Sequence, residues 1–439
     1  MLSSLKNIFK IPDLRNKILF TVMMIVLYRF GTMIRVPGID HQAIKQLQDA
    51  ATTQGAIGFL NLFSGGAFES FSIFALGIMP YITSSIIMQI LGVVIPKLEQ
   101  LQQQGAVGQR KITQYTRYVT IALATLQATG LVFVFGTGRG AGYLSVNAPS
   151  VPILPEGLWP RGYLIIPTLV AGTALLMWMG ELISQRGIGN GMSMIIFASV
   201  VAGMPYGFWS ILVQDKYLWF IIIIGVTLAI IVSVVYIELG QRRIPVQFAK
   251  RVVGRRMYGG QNTYIPLKVN QSGVIPVIFA SSILLIPVIA TNVLGNADSG
   301  WRRKVTEWVN EYIVNPQNLV YITLFALMII AFAYFYNTIA FDPVRQADQI
   351  RRQGGFIPGV RPGPQTERYL ARIVNRITLP GGVFIAIVAT IPYVLTWAAG
   401  INSLGFAGTS LLIAVGVALE VMRQIDSQLT LRNYEGFLK

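Results

Sequence analysis

GIMPYITSSII (Gly77–Ile87) and GVIPVIFASSIL (Gly273–Leu284) share one pattern: Gly-x-x-Pro-x-Ile, then Ser-Ser-Ile within a few residues. Glycine frees the backbone and proline removes a helical donor, so the pair interrupts a helix where it stands. Both sit in stretches otherwise apolar enough to cross a bilayer. Broken spans at matching places in two halves of a chain point to the working site of an inverted-repeat membrane protein. Two ordinary proline-kinked helices would carry the same residues, and the short match leaves both readings open.

The membrane itself follows from composition. Of 439 residues only 12% are charged, while 53% are apolar and 11% aromatic. Soluble domains carry about 25% charged residues, so this chain has too little polar surface to cover a water-soluble globule. With no cysteine, disulfides and thiolate chemistry are excluded, and one histidine, His41, excludes a histidine-cluster metal site.

A crossing helix needs about 20 mostly apolar residues. Ten such stretches are readable, at about 18–34, 71–95, 118–136, 163–183, 188–207, 217–237, 273–294, 318–341, 377–399 and 404–422. The first follows Lys6, Lys10, Arg15 and Lys17 with no small-residue cleavage site behind it, which reads as a retained helix and not a signal peptide. Ten spans predict both termini on one side. That side receives 26 of the Lys and Arg residues and the other receives 8, with Arg29 inside the first span. The positive-inside rule then makes the side of the termini cytoplasmic. The expected fold is all-α and polytopic, with ten transmembrane helices in two inverted five-helix halves, residues 1–215 and 216–439.

The run from Ala56 to Ile95 is too long for one helix and too short for two with a loop, and Ser64-Gly65-Gly66 breaks it. The piece around Phe59, Leu60, Leu62, Phe63, Phe68 and Phe71 can form only two or three turns. Such a piece is tolerated at membrane depth only inside protein or beside a water cavity. A re-entrant half-helix at about 59–71 is one reading, and an amphipathic loop on the outer surface is the other.

Chemistry-bearing patterns are missing. There is no phosphate-binding glycine loop, no HExxH, no GxSxG, and no paired carboxylates deep in a span. Glu181, Glu238 and Glu420 sit at the cytoplasmic ends of spans, and Arg29 is placed to snorkel toward the outer face. Ion-coupled transporters usually hold acids or histidine near the midplane. A secondary transporter or flippase with inverted repeats is therefore the weaker functional class, although a sodium site of carbonyls and hydroxyls escapes this test. An intramembrane enzyme lacks a candidate residue pair. Two basic loops, about 238–272 and 342–376, exceed what a connection requires. Topology alone explains their charge; so does docking on an acidic surface or an RNA backbone, where arginine makes bidentate phosphate contacts.

Longer runs carry a resemblance over essentially the whole chain. They are YRFGTMIRVPGID (Tyr28–Asp40), ALGIMPYITSSIIMQIL (Ala75–Leu91), RGIGNGMSMIIFA (Arg186–Ala198), AKRVVGRRMYGGQNTYIPLKVNQSGVIPVIFASSILL (Ala249–Leu285), GGFIPGVRPGPQTERYL (Gly354–Leu370) and GTSLLIAVGVALE (Gly408–Glu420). On these the chain resembles the SecY family, the channel subunits of bacterial protein-secretion translocons.

The resemblance implies two clamped halves around an hourglass pore in the bacterial plasma membrane. It implies a plug formed by Phe59, Leu60, Leu62, Phe63, Ser64, Gly65 and Gly66, and a pore ring of Ile78, Ile82, Met192, Ile196, Ile278 and Ile413. Met192 departs from the aliphatic residue expected there, and a flexible thioether would still seal. The second and seventh spans become a gate opening sideways into lipid. Gln89, Gln127, Ser281 and Ser282 are its candidate polar residues, with ordinary helix–helix bonding as the alternative. Arg255, Arg256 and Arg361 become contacts for the ribosome or the SecA motor ATPase; Pro364 stands where the family often has an acid. Two small membrane subunits, SecE and SecG, are implied as partners, the translocating polypeptide and membrane lipid as the other contacts, and no cofactor.

Overall fold

Both Gly-x-x-Pro sites break the chain at the same offset. Gly77 and Gly273 adopt φ of +59° and +58°, and helix begins two residues later in each case, at Met79 and at Ile275. A side chain with a Cβ rarely adopts that conformation, which explains the glycines. Pro80 and Pro276 occupy the second helical position, where a missing N–H costs nothing. The shared sequence pattern is thus a shared local structure.

The protein's computed structural model describes residues 11–40, 64–68, 70–136, 161–213, 217–248, 251–253, 256–258, 263–294, 301–314, 318–399 and 408–437. Among the described residues ten long helices correspond one to one with the expected spans. In order they are Pro12–Met33, Met79–Val94, Ala106–Gly136, Gly162–Arg186, Gly191–Val213, Tyr217–Leu239, Ile275–Leu294, Leu319–Ala340, Pro364–Ala399 and Gly408–Phe437. The fourth, sixth, eighth, ninth and tenth contain windows long and apolar enough to cross a membrane unaided. The first and third carry charges within the helix, among them Arg29 and Arg117. The second is short because the stretch before it, Ile73–Ile78, runs as turns; its other end bends by 100° into the short helix Pro96–Gln103.

Packing follows chain order within two groups. The second helix packs on the third, the third on the fourth, and the fourth on the fifth and first. The eighth packs on the seventh and ninth, and the tenth on the sixth, the ninth and, across the two groups, the fifth. One buried cluster joins Val36, Phe68, Phe71 and Leu76 to Ala124, Ile165 and Leu169. A second joins Ile223, Val277, Phe325, Ile385 and Leu411, with Tyr321 and Phe325 set edge-on to Tyr393. A third, at the centre, draws on both groups.

The two basic loops are not independent. Strand β1 (Gln241–Phe248) lies between β4 (Thr263–Lys268) and β5 (Gly355–Phe356), antiparallel to both; β2 (Arg251–Val253) and β3 (Arg256–Tyr258) form a separate hairpin. Gln241 pairs with Lys268 and Gln247 with Phe356, so one loop supplies the third strand of the other's sheet. Alternation along β1 buries Ile244 and Val246 against Leu267, Ile350, Ile357, Leu370, Ile373 and Val374. The loops form one platform with its own small core, a feature the sequence reading did not contain.

Candidate functional site

The six expected ring residues converge. Ile78, Met192, Ile196, Ile278 and Ile413 are buried members of the central cluster, and half-buried Ile82 packs against it. They come from four helices. Ile78 and Ile82 lie one turn apart at the start of the second, and Met192 and Ile196 lie one turn apart in the fifth. Ile278 stands in the first turn of the seventh and Ile413 in the second turn of the tenth. Ile195, Ala414 and Val417 pack with them. Met192 lies over the glycine face of the fourth helix, where a Cβ on Gly180 would strike its sulfur. A linear, adaptable thioether suits that space. The six side chains thus belong to one buried apolar cluster to which both helix groups contribute, and none of the six carries a charge or a hydrogen-bonding group.

Ser64 and Gly65 lie against Tyr28 of this cluster, Ala67 belongs to it, and Gly66 between them is exposed. The described residues 64–68 and 70–71 run as turns after Ser64, so the expected half-helix does not extend through this part; Phe59, Leu60, Leu62 and Phe63 lie outside the described residues. Gly65 and Gly66 have φ of +63° and +87°, which ends regular helix there. The return strand is tied to the segment after the first span by Val36 N–H to Phe71 O (3.0 Å) and Ile73 N–H to Ile34 O (2.9 Å).

Arg29 does not snorkel. Its Nη1 donates to the Gly65 carbonyl at 2.9 Å, and its neighbour Tyr28 is buried with its hydroxyl 3.0 Å from the Ser64 carbonyl and 2.6 Å from Ser199 Oγ. An inward backbone acceptor holds one guanidinium N–H of the half-buried Arg29, which turns the side chain toward the bundle.

On the flank between the second and seventh helices the expected polar residues behave differently from one another. Ser281 and Ser282 are spent on their own helix, donating to Val277 O and Ile278 O (2.7 Å for Ser282). Gln89 is exposed and Gln127 half-buried. Among the described residues the second and seventh helices do not pack extensively on each other, and they meet in the central cluster. Interhelical bonds instead tie the second helix to the third and the third to the fourth. Ser84 Oγ donates to Thr116 O at 2.7 Å, and Arg117 makes a two-pronged pair with Glu181, Nε to Oε1 at 2.7 Å and Nη2 to Oε2. These bridge 32 and 64 residues and carry no short-range signal.

At the platform, Arg361 is exposed in the turn between two glycines with positive φ, Gly359 and Gly363. Arg243 stacks 4.9 Å above the Tyr264 ring. Arg256 opens β3, and Arg255 lies outside the described residues. Across the mouth, Arg345 reaches Glu99 at 2.6 Å, linking the platform to the helix after the second span. Glu238 accepts from Asn270 Nδ2 at 2.8 Å, which fixes the approach to the seventh helix. Among the described residues no group of carboxylate or imidazole side chains is placed to hold a metal ion.

Comparison with known proteins agrees with this geometry. A family model described as SecY matches residues 72–422. The chain is 48% identical over 445 residues, all of both chains, to the "Protein translocase subunit SecY" of Streptomyces scabiei. It is 47% identical over 449 residues, again all of both chains, to that of Mycobacterium tuberculosis (strain ATCC 25618 / H37Rv). Among solved structures, "The structure of a protein conducting channel" superposes with a TM-score of 0.59 at 22% identity, covering 94% of this chain and 91% of that one. "Sec61 in the Canine ribosome-channel complex from the endoplasmic reticulum" superposes with a TM-score of 0.56 at 20% identity, over 94% and 91%.

Proposed function

The chain belongs to the SecY family, and on that premise we propose that it is a protein-conducting channel. It carries unfolded secretory polypeptides across the bacterial plasma membrane and releases apolar segments sideways into lipid. The observation that carries this reading is the central apolar cluster. A transported polypeptide presents every kind of side chain, so a pore with a polar binding site would hold some and reject others. A collar of Ile78, Ile82, Met192, Ile196, Ile278 and Ile413 grips none of them, dilates by rotamer changes, and when empty resists ions by dewetting.

The two packing groups support two halves, residues 1–215 and 216–439, meeting at the ring. The segment from Phe59 to Gly66 acts as the plug. The second and seventh helices act as the sideways gate, and their sparse mutual packing among the described residues suits an opening between them. An apolar segment of about 20 residues gains free energy on leaving a wet pore for lipid, so the gate needs to recognise nothing. Gln89, Gln127, Ser281 and Ser282 set how readily the slit parts.

The chain performs no catalytic step of its own, so the driving energy comes from a partner. The exposed Arg361, with Arg255 and Arg256 on the other loop, docks the SecA motor ATPase or ribosomal RNA on a platform rigid enough to transmit force. SecE and SecG complete the membrane complex, and both termini are cytoplasmic. The test is reconstitution of the purified complex in vesicles with an unfolded secretory precursor, SecA and ATP. Protease-protected precursor inside the vesicles supports the reading; uptake of a small solute with no protected precursor favours a transporter and ends it.

A further inference from the structure

Tyr28, Ser64 and Ser199 are each about 1% exposed, and they bring together three parts of the chain at the edge of the ring. Tyr28 Oη is 3.0 Å from the Ser64 carbonyl and 2.6 Å from Ser199 Oγ, and Ser199 Oγ is 2.9 Å from the carbonyl of Ile195. Two hydroxyl protons thus serve three contacts. Donating to Ser64 and Ile195 at once would leave the two hydroxyl oxygens 2.6 Å apart with no proton between them, so two arrangements remain. In one, Ser199 donates to Tyr28 and Tyr28 donates to Ser64. In the other, Tyr28 donates to Ser199 and Ser199 donates to Ile195. Both protons are used in each, but only the first holds Ser64. Buried hydroxyls left without an acceptor are costly, so a pair able to satisfy itself either way removes that penalty from the moment of release.

We infer that Tyr28 and Ser199 are positioning residues that form a two-state hydroxyl latch, holding the Ser64–Gly66 segment on the ring and re-pairing with each other when it leaves. The inference rests on that segment being the plug. Arg29 supplies a second arm through its charge-assisted bond to the Gly65 carbonyl at 2.9 Å. Gly65 completes the fit: at its φ of +63° an added Cβ would lie 2.9 Å from Tyr28 Oη and 3.1 Å from Arg29 Nη1. The hydroxyl arm is weak by construction, since on release the bond to Ser64 is exchanged for one to Ile195, whereas the Arg29 arm is broken without replacement.

The two hydroxyls have opposite expected effects, which a merely structural role would not give. Tyr28→Phe keeps the ring stacked on Phe74 (centroids 5.9 Å apart) but removes the bond to Ser64. Ser199→Ala leaves that bond intact and removes the acceptor that Tyr28 needs after release. Resting ion conductance of the purified complex in planar bilayers is the readout, with parent, Y28F, S199A and a deletion of residues 60–70, each also in vesicle transport of precursor. The expected result is a roughly three- to tenfold rise in conductance for Y28F, the scale of one net hydrogen bond, a fall for S199A, and no further effect of Y28F in the deletion background. If Y28F conducts like the parent while the deletion leaks, or if Y28F and S199A leak alike, or if Y28F adds leak to the deletion, the latch is wrong. If the deletion itself leaves conductance unchanged, the plug reading fails, and the latch with it.

Discussion

Replacing Ile196 with asparagine tests whether the ring is what holds the channel shut. Ile196 is 7% exposed in the fifth helix, among apolar neighbours of the central cluster. Burying such a side chain is worth about 1.5–3 kcal/mol, and an amide left there without partners costs about 1–3 kcal/mol. In an open channel the same position faces water, where asparagine has no such penalty. The closed state should lose about 3 kcal/mol relative to the open one, roughly a hundredfold in their ratio. Ile196→Val removes only one methylene, about 1 kcal/mol and roughly a fivefold shift. Open probability of the purified complex in planar bilayers, without substrate, should therefore rise in the order parent, valine, asparagine. A thermal midpoint near the parent's would show that the bundle remains folded. An asparagine variant that folds and stays as electrically silent as the parent would refute the seal.

Three further outcomes follow from packing. Leu370→Ala, at a position with no exposure in the platform core, should cost about 2–5 kcal/mol locally; trypsin should then cut the 241–268 hairpin faster while resting conductance stays unchanged. Arg361→Glu should lower SecA-driven transport several-fold without altering resting leak, whereas equal transport would remove Arg361 from the docking surface. A double-mutant cycle of Arg117→Met and Glu181→Gln, read by thermal unfolding, should give a coupling of about 1 kcal/mol, modest because Arg117 is 43% exposed; a value of zero would make the pair incidental.

The membrane class, the ten spans and the broken helices were readable because each rests on local properties. Run length and the absence of charge report a span, and glycine followed three residues later by proline reports a break at Gly77 and Gly273. The ring was not readable from the residues alone. Ile78 or Ile413 in an apolar helix has no polar neighbour pattern to set it apart, so only the family resemblance singled it out. The platform was missed for a different reason. In QRRIPVQF (Gln241–Phe248) the inward positions Ile244 and Val246 do alternate, but flanking arginines and Pro245 make the stretch look like a charged loop. Its third strand also arrives from more than a hundred residues away. Arg29 was misjudged because its acceptor, the Gly65 carbonyl, lies 36 positions along the chain, and a backbone carbonyl leaves no mark in sequence.

The chain contains no cysteine, so a single introduced thiol reports without background. A secretory polypeptide stalled midway, carrying one cysteine at the depth of the ring, should form a disulfide with Cys introduced at 196 or 278. It should not do so at Leu327, which is 60% exposed on the outside of the eighth helix. Crosslinking confined to the ring positions is what a central polypeptide path predicts; a stalled chain that crosses the membrane yet never reaches 196 or 278 would contradict it.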